Sequence, residues 1–581
     1  MSTSPPVPIG PTPCDPSRRD PLTLHGALDL IAAATPDQRI AFPDEDEVLT
    51  STDLATTSHA VAAALAAHGV RPGDRVGILS PNAPEFLTSL FGIVRAGAAA
   101  APLALPLGTD LADYVTRLAR IVGTAELSHL VVSHRIVDRI GPALAALAGP
   151  AVLDSAVLDS AVLDSSVPGT PAPTVAVGDA AIVQFTSGST SDPKGVVLRH
   201  ANVWHCARSI TEAIRLDADD VHGSWLPLFH DMGLFGALTG LFRGIPLHLW
   251  SPAGFVRRPA RWLSRFAQVG ATISTMPNFG YDTLLNAVGP SEAAALDLSR
   301  WRVAFNGAEA VSATAVDAFL GRFAPAGFRP SAMVPAYGMA EVTLVATLPP
   351  SGRAPVVEHV DRGVLAAEGL ARPVEAGSPD ARPLVGLGRA VPGMSVRVAG
   401  DDGAGCPDGI VGEIQMRGPM TTTGYLGGRD DPFTSDGWLH SGDLGYLRDG
   451  ELFFTGRRKE MITVAGRNVY PGDVEDAARG VDGVHKGRCV AFAETPDDGA
   501  PGGSERVVVV VETSPGSDDD TREGRRDALA RRVRERVAAT VGTFPRVVHA
   551  VAPRTIPRTT SGKMRRLDMR GRLQDRHEVN S

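Results

Sequence analysis

The chain has little cysteine. Four of its 581 residues are Cys, namely Cys14, Cys206, Cys406 and Cys489, and no two stand at a CxxC or CxxH spacing. Neither a disulfide framework nor a zinc site is suggested, and a reduced, cytoplasmic protein is expected. Basic charge is also short: 56 Lys and Arg face 65 Asp and Glu, a formal net charge of −9. Away from the C-terminal end there is no strongly basic block, which argues against DNA or RNA as the main partner. Long apolar runs are missing too. The Ala-rich stretch from Ala96 to Leu107 is cut by Gly97, Pro102 and Pro106 well short of a membrane span. The first residues, Met-Ser-Thr-Ser-Pro-Pro, lack the charged-then-apolar pattern of a signal peptide. A soluble protein is predicted.

What is present is ordinary globular material, 43% hydrophobic and 21% charged, with 62 Gly and 46 Pro to make many short turns. The length exceeds one core, since chains split into domains beyond about 250 to 300 residues. Residues 1–22 form the expected disordered leader; six prolines fall in the first twenty positions, with no apolar periodicity. From Leu24 onward helical and strand patterns alternate. Leu54, Val61 and Leu65 mark a helix from Asp53 to His68, closed by Gly69; a strand from Arg75 to Leu79 and a helix from Glu85 to Arg95 follow. Such alternation predicts a parallel, helix-covered sheet. Ala151 to Ser165 is three copies of Ala-Val-Leu-Asp-Ser, a period that matches no repeat architecture and reads as a loop or helix-edge expansion. Near Gly456 to Asn468 the chain turns charged and Gly-punctuated, which predicts a domain boundary there.

The strongest chemical signal is Val183-Gln-Phe-Thr-Ser-Gly-Ser-Thr-Ser-Asp-Pro-Lys-Gly-Val-Val197. An apolar strand enters a Ser/Thr/Gly turn with one lysine and leaves as a second apolar strand. Backbone amides, hydroxyls and the Lys194 ammonium can then converge on phosphate oxygens. A Walker A loop would require Gly-Lys-Ser/Thr, whereas Lys194 stands between Pro193 and Gly195, so the P-loop reading fails. Taken alone, the loop is as readily a flexible surface segment.

Its company changes that. The loop resembles the phosphate loop of the adenylate-forming superfamily, which includes acyl-CoA synthetases, peptide-synthetase adenylation domains and luciferases. Five further segments stand in that superfamily's order. Asn306-Gly-Ala-Glu309 and Ala336-Tyr-Gly-Met-Ala-Glu341 resemble its adenine and magnesium motifs, and Ser441-Gly-Asp443 its ribose motif. Gly456-Arg-Arg-Lys459 resembles the hinge and Pro557-Arg-Thr-Thr-Ser-Gly-Lys563 the catalytic lysine segment.

The resemblance implies an α/β protein: a large N-terminal adenylation domain, 23–456, and a small mobile α+β lid, 457–581. It implies ATP and Mg2+ as cofactors. ATP would be held by Thr186, Ser187, Gly188, Ser189, Thr190 and Lys194; by Asn306, Gly307, Ala308 and Glu309; by Ala336, Tyr337, Gly338 and Met339; and by Asp443 and Arg457. Glu341 would hold the metal, a hard oxygen for a hard cation. Tyr337 offers a flat ring for adenine and Asp443 can accept both ribose hydroxyls. Ala340 stands where the superfamily often has Thr, so a hydroxyl contact to phosphate is missing at that position. Lys563 is the implied catalytic residue, bridging the acyl carboxylate and the α-phosphate. Because it lies roughly 100 residues beyond the hinge at Lys459, the lid must close to deliver it.

Three features resemble the fatty acyl-AMP ligase branch. Trp225-Leu-Pro-Leu-Phe-His-Asp-Met-Gly-Leu234 is similar to that branch's tunnel-gate segment, so His230 and Asp231 would sit at the gate and Met232, Gly233 and Phe235 in the tunnel wall. A lone histidine would more often be structural. Gly466-Arg-Asn-Val-Tyr-Pro-Gly-Asp-Val-Glu475 is similar to the branch's Gly-Arg-Asn form. The third is a long stretch with little periodicity, 350–387, which resembles the branch's insertion; it would restrain the lid and disfavour CoA as acceptor. The resemblance therefore implies activation of a fatty or related carboxylic acid to acyl-AMP. Transfer to the phosphopantetheine of a holo acyl carrier protein would follow, in a lipid or polyketide-type pathway. The rival expectations are an acyl-CoA ligase and an inactive nucleotide- or acyl-adenylate-binding homologue. An arginine face, Arg531, Arg532, Arg534 and Arg536, opposes the apolar stripe Leu529, Val533 and Val537; a solvated face is the first reading and a docking face for an acidic carrier the second.

Overall fold

The computed structural model describes residues 20–106, 111–144, 147, 149–160, 173–186, 194–428, 431–464, 467–494, 505–514, 522–558 and 564–580. Residues 1–19 of the expected leader lie outside these, but Leu22 already packs on the core and Thr23 caps the first helix, Leu24–Ala34. The ordered body thus begins inside the stretch expected as leader.

Two largely parallel sheets carry the N-terminal body. One runs in the order Ala151–Asp154, His129–Val132, Arg75–Leu79, Ala99–Pro102, Ala180–Thr186 and Lys194–Arg199, parallel throughout except for the final hairpin. Its inner strands are buried on both faces, as His129–Val132 and Ala99–Pro102 show. The helices Ser51–Ala67 and Pro84–Arg95 pack closely because Gly92 brings backbone against Val61; a Cβ there would sit 2.4 Å from a Val61 methyl. The first of these helices starts earlier than its apolar spacing indicates, since Thr50 and Asp53 form a capping box.

The other sheet runs Met333–Pro335, Val303–Asn306, Ile273–Met276, His222–Ser224, Leu247–Leu249, Arg39–Phe42 and Glu47–Thr50, and again only the last pair is antiparallel. The carboxyl ends of its strands, at Met276, Asn306 and Pro335, face the crevice where ligands bind in open α/β sheets. An antiparallel sheet follows, Ser395–Ala399, Gly412–Arg417, Leu439–Arg448 and Glu451–Arg457. No helix among the described residues is long and apolar enough to cross a membrane.

Two expectations are corrected here. The stretch 350–387 is not irregular: Val357–Asp361 and Ala381–Val385 pair as an antiparallel hairpin around a helix, Arg362–Glu368, capped by Asp361. Its Gly, Pro and Arg content hid short elements whose order comes from packing against Tyr446 and Phe453. The Ala-Val-Leu-Asp-Ser copies, expected as a loop or helix-edge expansion, depart from the loop alternative and add an edge strand. The first forms the edge strand Ala151–Asp154 and the next falls in the helix Ser155–Ser160; the third lies outside the described residues. Identical residues adopt strand and then helix because the sheet edge, not local propensity, decides.

Beyond Arg457 come a short hairpin, Ile462–Val464 with Arg467–Val469, and a sheet of Val484–Glu494, Arg506–Thr513 and Val547–Val551. Helices Pro471–Arg479 and Arg522–Val541 cover it, and Leu529, Val533 and Val537 of the second are buried in a separate apolar core. Of the arginine face, Arg531, Arg532 and Arg536 are exposed, and Arg534 lies over the Phe544 ring.

Candidate active site

The hairpin Ala180–Thr186 with Lys194–Arg199 sets Thr186 opposite Lys194. Strand, not helix, follows the lysine, which agrees with the failed P-loop reading. Ser187, Gly188, Ser189 and Thr190 lie outside the described residues, as does Lys563. A loop near residue 425 pairs with the outer strand, Leu426 N–H donating to the Gly195 carbonyl at 2.9 Å. This brings the Lys194 ammonium to 4.7 Å from the centre of the Tyr425 ring, a cation–π distance. The Tyr425 hydroxyl donates to Glu341 Oε1 at 2.8 Å. Tyr425 therefore joins the phosphate-side lysine to the expected metal ligand. Burial raises the Glu341 carboxyl above the usual carboxylate range, while the Tyr425 hydrogen bond opposes the shift. Ala340 is buried and brings no hydroxyl to this corner.

A second corner is built from Tyr337, Asp443 and Arg457. Strand pairing places Asp443 opposite Arg457, whose Nε lies 3.2 Å from Asp443 Oδ1. The Tyr337 hydroxyl donates to Asp443 Oδ2 at 3.0 Å. The Asp443 charge holds the Arg457 guanidinium above its ordinary value, and burial raises the Tyr337 phenol. Each carboxylate oxygen offers two lone pairs, which suits a carboxylate to accepting hydroxyls. Gly338 is required by close approach: a Cβ would lie 1.9 Å from the Leu344 carbonyl oxygen. Asn306 ends its strand with Oδ1 buried and without a hydrogen-bond partner among the described residues, Ala308 adopts a positive φ of 65°, and Glu309 accepts from Phe279 N–H at 2.8 Å.

Both corners open into one cavity of about 950 Å³, which Thr186, Gly307, Ala308, Glu309, Ala336 and Met339 also line. An arm of the cavity runs between the helices His200–Ala213 and Asp231–Arg243, past Ile210, Ile214, Met232, Gly236 and Ile273. At its mouth His230 Nδ1 lies 3.0 Å from Asp231 Oδ1, and Asp231 Oδ1 accepts the Met232 N–H. Met232 is on the wall. Gly233 and Phe235 do not line the cavity: Gly233 packs its Cα against Pro227, and Phe235 lies in the core at 1% exposure. Helical geometry explains this, since Met232 and Gly236 share a face while Gly233 and Phe235 point elsewhere. A Cβ on Gly233 would sit 2.2 Å from the Pro227 carbonyl oxygen. Gly233→Ala is therefore expected to cost about 1 to 3 kcal/mol, the usual range for overpacking, readable from the midpoint and slope of urea unfolding.

On its other side the cavity is lined by Lys459, Arg536, Met564, Arg565 and Arg566 of the C-terminal subdomain. Two residues of the 350–387 hairpin hold it. Arg362 Nη1 and Arg382 Nε lie 2.9 and 2.7 Å from the two oxygens of Asp473, in the lid helix Pro471–Arg479. The Arg382 guanidinium also lies 4.2 Å over the Tyr470 ring. Asp473 and Arg382 are both under 9% exposed, so this is a buried latch.

The profile of the AMP-binding enzyme family matches residues 28–426. The chain belongs to the AMP-binding enzyme family. It is 34% identical to a putative acyl-CoA synthetase of Caulobacter vibrioides, over 90% of this chain and 89% of the relative. It is 32% identical to JamA of Moorena producens, a medium-chain-fatty-acid–[acyl-carrier-protein] ligase, over 85% and 84%. Among solved structures it is similar to a fatty acyl-adenylate ligase from work on the E. coli and L. pneumophila enzymes. There the TM-score is 0.87 at 30% identity, covering 97% of this chain and 99% of that one.

In this AMP-binding enzyme the described residues of the sequence motifs converge on one cavity, but the residues that connect them gave no signal in the sequence. Tyr425 sits in Thr-Gly-Tyr-Leu-Gly, a turn signal without a chemical one. Gly236, Thr239 and Gly240 of the cavity arm look like ordinary helix residues. Only the i, i+4 spacing of Gly236 and Gly240 hints at close approach, and that pattern is common.

Proposed function

We propose that the protein activates a fatty or related carboxylic acid with ATP, giving acyl-AMP and pyrophosphate, and passes the acyl group to an acyl carrier protein. The observation that carries this reading is the single cavity, with Lys194, Glu341 and Asp443 at one end and an apolar arm at the other. One carboxylate oxygen attacks the α-phosphorus, and the bond from that phosphorus to the bridging oxygen of pyrophosphate breaks. Lys194 and residues 186–190 would hold phosphate oxygens, and Asp443 would take the ribose. Lys563 neutralises charge between carboxylate and α-phosphate. Magnesium is bound through one or two carboxylates together with phosphate oxygens and water. Glu341 would hold it there, where it would offset phosphate charge.

Carrier-protein transfer is supported by the activity for which JamA is named and by the latch at Asp473, which ties the C-terminal subdomain to the 350–387 hairpin. The acyl-CoA alternative has the Caulobacter relative's name in its favour. The activation step is tested by exchange of labelled pyrophosphate into ATP. Exchange that depends on an added fatty acid and on magnesium is the expected result; exchange with no acid dependence would refute an acid-activating enzyme.

A further inference from the structure

The apolar arm carries an unmatched polar group, His222. His222 opens the strand His222–Ser224 and lines the cavity at 2% exposure. Its Nε2 has no hydrogen-bond partner among the described residues. The two hydroxyls that line the wall nearest the ring are engaged. Thr239 Oγ1 donates to the Phe235 carbonyl at 2.7 Å, and Thr275 Oγ1 lies 3.3 Å from Ser224 Oγ. Around them the wall is Ile210, Ile214, Leu216, Ile245 and Ile273. Buried polar side chains nearly always find a partner, so an orphan imidazole in an apolar pocket wall is an anomaly that a ligand group can resolve.

The helix Asp231–Arg243 leaves space beside this ring. A Cβ at Gly236 would lie 3.6 Å from His222 Cε1, and one at Gly240 would lie 3.5 Å from His222 Cβ. Bulkier residues at either place would close over the imidazole. Burial pushes His222 down to about 4, so near neutrality the ring is uncharged, with one N–H to donate and one lone pair to accept. An alcohol hydroxyl, itself donor and acceptor, satisfies either tautomer.

Register gives the reach. His222 pairs with Ile273 and Ile273 with Val303, three residues before Asn306 at the nucleotide end of the same sheet. At about 3.3 Å per residue that is roughly 10 Å along the strand direction. A chain of medium length, extending from the adenylate into the arm, brings its far end beside the ring.

We propose that His222 forms a hydrogen-bonding subsite for a hydroxyl group carried at the distal end of the acyl chain, so that ω-hydroxy fatty acids are preferred over their plain counterparts. This deepens the reading of the arm as an acyl tunnel and rests on it.

The test compares acid-dependent acyl-AMP formation by the full-length protein for octanoic, decanoic and dodecanoic acids, each beside its ω-hydroxy partner. The expected result is a kcat/KM ratio of at least about tenfold in favour of the hydroxy acid at one of these lengths, because a site with a buried hydrogen-bonding group discriminates against a substrate lacking its partner. His222→Phe should bring that ratio to one or below. Ratios at or below one at every length in the native protein overturn the subsite while leaving acid activation intact. No adenylate from any acid would instead overturn the tunnel reading beneath it. Because the decisive comparison uses the native protein, it does not depend on how the variant folds.

Discussion

Lys563→Ala is expected to slow acyl-AMP formation by about 100- to 1,000-fold, the range seen when one preorganised group stabilising transition-state charge is removed. The ATP dissociation constant should stay close to the native value. The residues flanking the lysine segment are firmly held. Arg558 bridges to Met564, and Arg565 N–H donates to the Pro557 carbonyl at 2.9 Å, so both ends of 559–563 are pinned together. Arg566 is clamped by Glu475 at 2.6 and 2.7 Å and by Glu460 at 2.5 Å. Met564, Arg565 and Arg566 line the cavity next to Lys563 in sequence. A charge at this place acts in the transition state and contributes little to ground-state nucleotide affinity, hence the predicted split. It is read by single-turnover formation of acyl-AMP and by nucleotide titration. Unchanged turnover would remove Lys563 from the mechanism.

Asp473→Ala should release the lid. The variant leaves two guanidiniums, those of Arg362 and Arg382, facing each other without their shared carboxylate. Breaking a buried ion pair by removing one partner costs about 3 to 5 kcal/mol. At 1.4 kcal/mol per tenfold, the latched orientation loses on the order of a hundredfold in population or more. The expected consequence is acyl-CoA among the products when CoA is supplied, with cooperative unfolding retained because the lid has its own apolar core. The paired variant Arg362→Ala/Arg382→Ala should behave alike. Continued absence of acyl-CoA from both, with adenylation unaffected, would show that the latch does not decide the acceptor.

The comparison of sequence with structure sorts by range. The ligand-facing motifs were legible because their chemistry is local: Lys194 within its turn, Asp443 within Ser-Gly-Asp, Tyr337 and Glu341 four residues apart. The contacts that assemble them were not. Tyr425 reaches Glu341 across 84 positions, and Tyr337 reaches Asp443 across 106. The 350–387 hairpin looked irregular because its strands are five residues long and half exposed; only contact with Tyr446, Phe453 and the lid gives them order. In the tunnel segment, period 3.6 separates Met232 from Gly233 and Phe235, a distinction that needs the helix start at Asp231. The parallel core strands were legible in outline, as Arg75–Leu79 was, since runs of buried apolar residues bounded by turn signals have few alternatives.

In the proposed function the enzyme makes acyl-AMP and reserves it for a carrier protein. The most direct measurement is mass spectrometry of the products after incubation with ATP, magnesium and a panel of fatty acids, in parallel reactions with no acceptor, with CoA and with a holo acyl carrier protein. Acyl-AMP is expected to persist when CoA is added and to be consumed when the carrier is added, leaving an acylated phosphopantetheine. Rapid conversion to acyl-CoA by the native enzyme would contradict it.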